Sequence, residues 1–241
     1  MAAPMANDDI QLRIHGGSDA KVDEFPYMVS LRERQFHFCG GSILNSRTII
    51  TAAHCFAGGR KADEIKAVVG SIYLKSGGTE YQISKIISHP EFNINIAAND
   101  IAVLITSEPI ITSHSVGFIA LPSTATGSGV NVTTTGWGEF NKVSNGIIPN
   151  TLQKITLTAI SNDDCNKKLN RQIHPNNMCA LTKAGEGVCF GDSGSPLVDG
   201  KYFVGIASYI TGPLRQCGAG TPDVFTRVNS YISWINNNTQ S

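Results

Sequence analysis

Asp100-Ile-Ala-Val-Leu-Ile-Thr106 is a short apolar run that opens on an acid and ends against Ser-Glu-Pro. A continuous run of this kind, bounded by turn residues, reads as a buried strand. Similar runs recur on both sides of it. They are YMVSL (27–31), SILNSRTIIT (42–51), IKAVVG (65–70), YQISKIIS (81–88), VTTTGWG (132–138), LQKITLTAI (152–160), YFVGIASY (202–209) and VFTRV (224–228). Some are continuous and some alternate, with Gly, Pro and Asn between them, which predicts an all-β sandwich or barrel. Only two helices are expected. Ser161 caps Asn162–Leu169, with Asp163 and Asp164 favourable in its first turn. Near the C-terminus Val228, Tyr231, Ile232 and Ile235 follow the spacing of one buried helical face.

Composition narrows the function classes. The chain has 241 residues, 19 Lys+Arg against 19 Asp+Glu, and only 16% charged residues, so a nucleic-acid partner is not expected. No window reaches the roughly 18 apolar residues that a membrane helix needs. Cys39, Cys55, Cys165, Cys179, Cys189 and Cys217 include no C-x2-C pair, which speaks against zinc. Their even number suits three disulfides and an oxidising compartment. MAAPMANDDIQLR, residues 1–13, contains no apolar signal core and reads as a polar leader outside the fold. The expectation is a secreted chain whose signal has already been removed. Asn131-Val-Thr and Asn237-Asn-Thr are glycosylation sequons.

Three motifs carry chemistry: TAAHC with His54, NDIAVL with Asp100 and GDSGSP with Ser193. A serine hydroxyl is a poor nucleophile at neutral pH and needs an adjacent base, which His54 can be. The order His, Asp, Ser with gaps of 46 and 93 residues, together with RIHGG, HFCGGSIL and TGWG, resembles the chymotrypsin family of serine endopeptidases from Ile14 to about Asn237. The resemblance implies two packed six-stranded antiparallel β-barrels with a C-terminal helix. It divides the chain into a leader (1–13) and a protease unit (14–241), with the barrel boundary at about 110–125. It makes His54, Asp100 and Ser193 a catalytic triad, with the N–H groups of Gly191 and Ser193 as oxyanion donors. It pairs Cys39 with Cys55, Cys165 with Cys179 and Cys189 with Cys217. Ser195 departs from the usual glycine of this motif, and His15 from the usual valine.

The resemblance further implies activation by cleavage at Arg13–Ile14, after which the Ile14 amine pairs with Asp192. His37 and Ser30 match the residues that hold this aspartate before cleavage. The substrate pocket maps to Gly187, Val188, Phe190, Ala207, Ser208, Tyr209, Ile210, Asp223 and Phe225. Gly187 stands where trypsins carry a base aspartate, and Ile210 where chymotrypsins carry glycine. The set resembles neutrophil elastase and predicts small or medium aliphatic side chains before the scissile bond, with Asp223 buried beneath Val188 and Ile210. LTKAGEGVC (181–189) and the six-cysteine set resemble digestive chymotrypsins of insects, so a chymotrypsin-like or broad specificity is the alternative. A non-catalytic homologue is the remote one. SIYLKSGGTEYQ matches the calcium loop of trypsins but offers only Glu80 as an acid, so no dedicated calcium site, no other metal and no cofactor are expected. Expected partners are protein or peptide substrates, a trypsin-like activator and protein inhibitors, with the enzyme itself monomeric.

Overall fold

The computed structural model describes residues 16–139, 148–181, 183–213 and 216–240. Twelve of the thirteen strands in these residues form two closed barrels. The first is built from β2 (Met28–Glu33), β3 (Phe36–Ile43), β4 (Thr48–Thr51), β5 (Ile65–Val69), β6 (Thr79–Ser88) and β7 (Ala102–Thr106). Its spatial order is β2-β3-β4-β7-β6-β5, and pairing of Val29 with Val69 closes it. The second is built from β8 (Asn131–Gly136), β9 (Gln153–Ile160), β10 (Asn177–Leu181), β11 (Pro196–Asp199), β12 (Tyr202–Tyr209) and β13 (Asp223–Arg227). The β11–β8 pairing, Leu197 with Thr134, closes that ring. The short β1 (Ser18–Asp19) joins its outer edge at β9.

The two kinds of run in the sequence correspond to two kinds of surroundings. In β9 side chains alternate strictly: Ile155, Leu157 and Ala159 point into the barrel while Thr156 and Thr158 face water. All five residues of β7 are buried. Val228, Tyr231 and Ile235 belong to the same apolar cluster as Val103 and Leu104, so this strand is covered on both faces. That is why its sequence is continuously apolar rather than alternating.

α1 spans Asn162–Leu169 and begins as expected, with the Asp164 N–H donating to the Ser161 hydroxyl at 3.1 Å. The C-terminal helix starts later than the apolar spacing suggested. Val228–Tyr231 is a 3-10 turn, and α2 runs from Ile232 to Asn238. Ile232 is only half-buried, because the change of winding rotates it away from the face shared by Val228, Tyr231 and Ile235. The three disulfides are Cys39–Cys55, Cys165–Cys179 and Cys189–Cys217. No described helix is long and apolar enough to cross a membrane.

Candidate active site

Strand register brings the histidine and the acid together. Thr51 of β4 pairs with Ala102 of β7 in an antiparallel ladder, so the residues after β4 and before β7 emerge at the same end of the first barrel. His54 lies on a 3-10 turn, Ala53–Phe56, that the Cys39–Cys55 disulfide braces. Asp100 directly precedes Ile101 and β7, and is 1% exposed. Its Oδ2 accepts from His54 Nδ1 at 2.7 Å and from the Ser208 hydroxyl at 2.6 Å, while its Oδ1 accepts from the His54 backbone N–H at 2.8 Å. A carboxylate can only accept, so the neutral imidazole must carry its proton on Nδ1. Nε2 is then a bare acceptor.

Ser193 comes from the loop between β10 and β11 of the second barrel, and its placement is pinned from both barrels. The Gly40 N–H in β3 donates to the Ser193 carbonyl at 2.8 Å, and the Gly194 N–H donates to the Ala207 carbonyl in β12 at 2.8 Å. His54, Asp100, Ser193 and Ser208 line one cleft of about 370 Å³. Gly191 has φ +98, a conformation that disfavours a side chain. Neither its N–H nor that of Ser193 donates to another described group, leaving both available to an incoming oxyanion.

Asp192 borders the same cleft and is 1% exposed. The N–H groups of Gly138 and Cys189 donate to its two oxygens at 2.7 and 2.8 Å. Burial nevertheless pushes its carboxyl up to about 7, with these two bonds opposing the shift. The TGWG stretch explains itself here. A Cβ on Gly136 or Gly138 would fall 2.0 or 2.2 Å from the Asp192 carboxylate. Sequence reading treated this motif only as part of the resemblance and missed both glycines as the cradle of Asp192. Arg13 and Ile14 lie outside the described residues.

Ser30 and His37 sit together, but His37 faces Gly191 rather than Asp192. Its Nε2 lies 3.0 Å from the Gly191 carbonyl, its Nδ1 lies 2.9 Å from the Ser30 hydroxyl, and Arg32 Nε donates to that hydroxyl at 3.1 Å. Burial pushes the imidazole down to about 4, so it is neutral at pH 7. A carbonyl only accepts, which places the His37 proton on Nε2 and makes Ser30 the donor to Nδ1. The result is one directional chain, Arg32 to Ser30 to His37 to Gly191.

Val188, Phe190, Ala207, Ser208, Tyr209 and Ile210 line the cleft, whereas Asp223 is 6% exposed. Its Oδ2 accepts from the Val188 N–H at 2.9 Å. A Cβ added to Gly187 would lie 2.5 Å from that same oxygen. Burial pushes the Asp223 carboxyl up to about 7. Phe225 is fully buried, and Ile210 packs half-buried against the apolar cluster that holds Val188, Ala207 and Phe225. Ser195 is buried, and its hydroxyl meets no hydrogen-bond partner among the described residues. In the segment that matches the calcium loop, the Ser71 hydroxyl is 3.1 Å from the Tyr73 carbonyl and 2.8 Å from the Ser76 carbonyl, and Glu80 pairs with Lys66 at 2.5 Å. The one acid there already has a cationic partner, so these residues do not fit a calcium ion, which takes six to eight oxygens.

The resemblance placed Ser208 in the substrate pocket, and the structure adds its bond to Asp100. That bond has no local sequence signal, because the two residues are 108 positions apart.

The trypsin family model matches residues 14–235. Chymotrypsin-2 of Vespa crabro is 39% identical over 226 residues, covering 93% of this chain and 99% of the relative. Trypsin-1 of Astacus astacus is 37% identical over 243 residues, again covering 93% and 99%. Serine protease 1 of Canis lupus familiaris is 32% identical over 237 residues, covering 98% and 92%. With two closed antiparallel barrels and a histidine, an aspartate and a serine on one cleft, this chain belongs to the trypsin family and is a serine endopeptidase.

Proposed function

We propose that the protein is a secreted endopeptidase that cleaves after small or medium aliphatic residues through an acyl-enzyme. The observation carrying the chemistry is the 2.7 Å bond from His54 Nδ1 to Asp100 in the cleft that Ser193 also lines. With Nδ1 protonated, Nε2 takes the Ser193 proton as Oγ attacks the scissile carbonyl. The Gly191 and Ser193 N–H groups receive the oxyanion. His54 then returns the proton to the leaving amine, and water repeats the sequence on the ester. Removing one oxyanion donor of this kind costs roughly 3–4 kcal/mol of transition-state stabilisation.

Specificity follows from what the pocket lacks. Gly187 provides no charge, and the carboxylate of Asp223 is engaged behind it by Val188. An Arg or Lys side chain would be desolvated without a partner. Ile210 narrows the slot that an aromatic ring would need. A second, chymotrypsin-like preference is favoured by the same uncharged base and by the similarity to a protein named chymotrypsin-2. Cleavage at Arg13–Ile14 by a trypsin-like activator frees the Ile14 amine for Asp192, whose burial without a positive partner is unfavourable. The leader comprises residues 1–13, the protease unit 14–241 with its barrel boundary at about 110–125, and the active form is a monomer restrained by protein inhibitors.

The test is a panel of chromogenic peptides bearing Ala, Val, Leu, Phe or Arg before the leaving group, assayed before and after trypsin treatment. The expected result is no self-activation, followed by preference for Val and Ala over Phe and Arg. Preference for Phe supports the second specificity, and efficient Arg cleavage or spontaneous processing at Arg13 overturns both. Failure of Ser193 to react with an organophosphonate after activation overturns the enzyme mechanism itself.

A further inference from the structure

We propose that Asn99 and Tyr231 are positioning residues that set the angle at which Asp100 meets His54. This rests on the assignment of Asp100 as the acid of the triad. Asn99 has φ +55, a left-handed conformation in which Asn is several-fold enriched over most other residues. Its side chain clamps that conformation from both ends of the amide. Nδ2 donates to the Glu91 carbonyl at 2.9 Å, and Oδ1 accepts from the Tyr231 hydroxyl at 2.9 Å. The Ile101 N–H donates to the Asn99 carbonyl at 2.9 Å, so Asp100 is the apex of a three-residue turn.

The anchors come from distant parts of the chain. Tyr231 is buried in the C-terminal 3-10 turn, 132 residues from Asn99, with its ring edge-on to His89. The Thr226 hydroxyl in β13 donates to the Asp100 carbonyl at 2.9 Å, and Asn177 Nδ2 at the start of β10 donates to the Ala97 carbonyl at 3.1 Å. Strand register in the first barrel brings Asp100 near His54. The second barrel and the C-terminal turn then fix how the carboxylate is rotated. The charged or titratable groups on the outer side of this clamp are His89 and Glu91, and on the inner side Asp100 and His54. A misplacement of about 1 Å in such a constellation can cost a hundredfold in rate, so a clamp on the turn acts on catalysis without touching substrate.

The experiment uses the trypsin-activated full chain, with active sites counted by organophosphonate titration. Tyr231→Phe keeps the ring packing and removes only the hydroxyl. Asn99→Gly keeps the positive φ and removes both amide bonds. Tyr231→Phe is expected to lower kcat about three- to tenfold, the range of one neutral hydrogen bond, with KM unchanged. The acidic limb of the kcat/KM profile should move to lower pH, because a misaligned carboxylate stabilises the imidazolium less. Asn99→Gly should lose at least as much, and the double variant less than the product of the two single losses, since the two changes remove one shared bond. If kcat per titrated site and the pH profile are unmoved while Tm falls, the two residues only pack the fold and the proposal is overturned. Asp100→Asn serves as the control. Retention of its activity within tenfold overturns the role of Asp100 itself, whereas its inactivation beside unaffected Tyr231→Phe and Asn99→Gly overturns the positioning role alone.

Discussion

Gly187→Asp copies the base residue of trypsins into this pocket, and the structure says that it will not confer cleavage after Arg. The new Cβ would lie 2.5 Å from Asp223 Oδ2, a distance that real contacts essentially never show. Asp223 must therefore move, which breaks its 2.9 Å bond from the Val188 N–H. Losing a hydrogen bond to a charged acceptor costs about 1.5–3 kcal/mol. Gly187 also has φ +141, and forcing a side chain into that region costs about 1–3 kcal/mol. Two carboxylates about 4 Å apart repel by about 4 kcal/mol at an effective dielectric of 20, unless one takes up a proton. The combined loss is on the order of 5 kcal/mol, which for a chain of this size lowers Tm by about 10–20 °C. Adding Asp223→Gly removes both the overlap and the repulsion. The pair should recover most of the lost stability and gain hydrolysis of Arg peptides that neither single variant shows. The assay is thermal denaturation alongside kcat/KM on Val, Phe and Arg peptides. A Gly187→Asp protein that melts within a few degrees of the parent and cleaves Arg peptides well would refute the placement of Asp223 behind Gly187.

Three further outcomes are expected. Ile210→Gly widens the slot and should raise the Phe-to-Val ratio in kcat/KM about ten- to hundredfold, the size of relieved overpacking; an unchanged ratio removes Ile210 as the gate. Ser195→Ala deletes a buried hydroxyl with no partner among the described residues and should stabilise by about 1 kcal/mol, visible as a higher Tm; a lower Tm means that the hydroxyl is satisfied in solution. Asp223 titrates near 7 in the fold, above its ordinary 3.8, so its protonated form is favoured there. Its contribution relative to a neutral amide is present below about pH 4 and is lost as pH rises through 7. Denaturant titrations should thus show Asp223→Asn gaining stability on the parent between pH 4 and 7, and a pH-independent difference would contradict the raised value.

The parts of this protein that were legible in sequence are those written in short stretches. Strand runs, the Ser161 cap and the paired cysteines each depend on a few consecutive residues or on a resemblance carried by motifs. The apolar face of the C-terminal segment was legible too, but its winding was not. Val228, Tyr231 and Ile235 are buried in either winding, and the switch from 3-10 to α shows only in the backbone. The glycines around Trp137 counted in sequence only as part of a family motif; their reason is the Asp192 carboxylate packed against them, 54 positions from Gly138.

By itself, the sequence singled out the residues we propose for the chemistry: a hydroxyl, an imidazole and an acid in a recognisable order, and a pocket base without charge. Only the tertiary structure decided which way the buried groups face. Asp223 could have reached into the cleft or lain behind it, and His37 could have held Asp192 or Gly191. Side-chain chemistry is local and travels with the residue. Burial and hydrogen-bond partnership are set by whichever distant strand packs alongside, and a one-dimensional pattern does not encode that geometry.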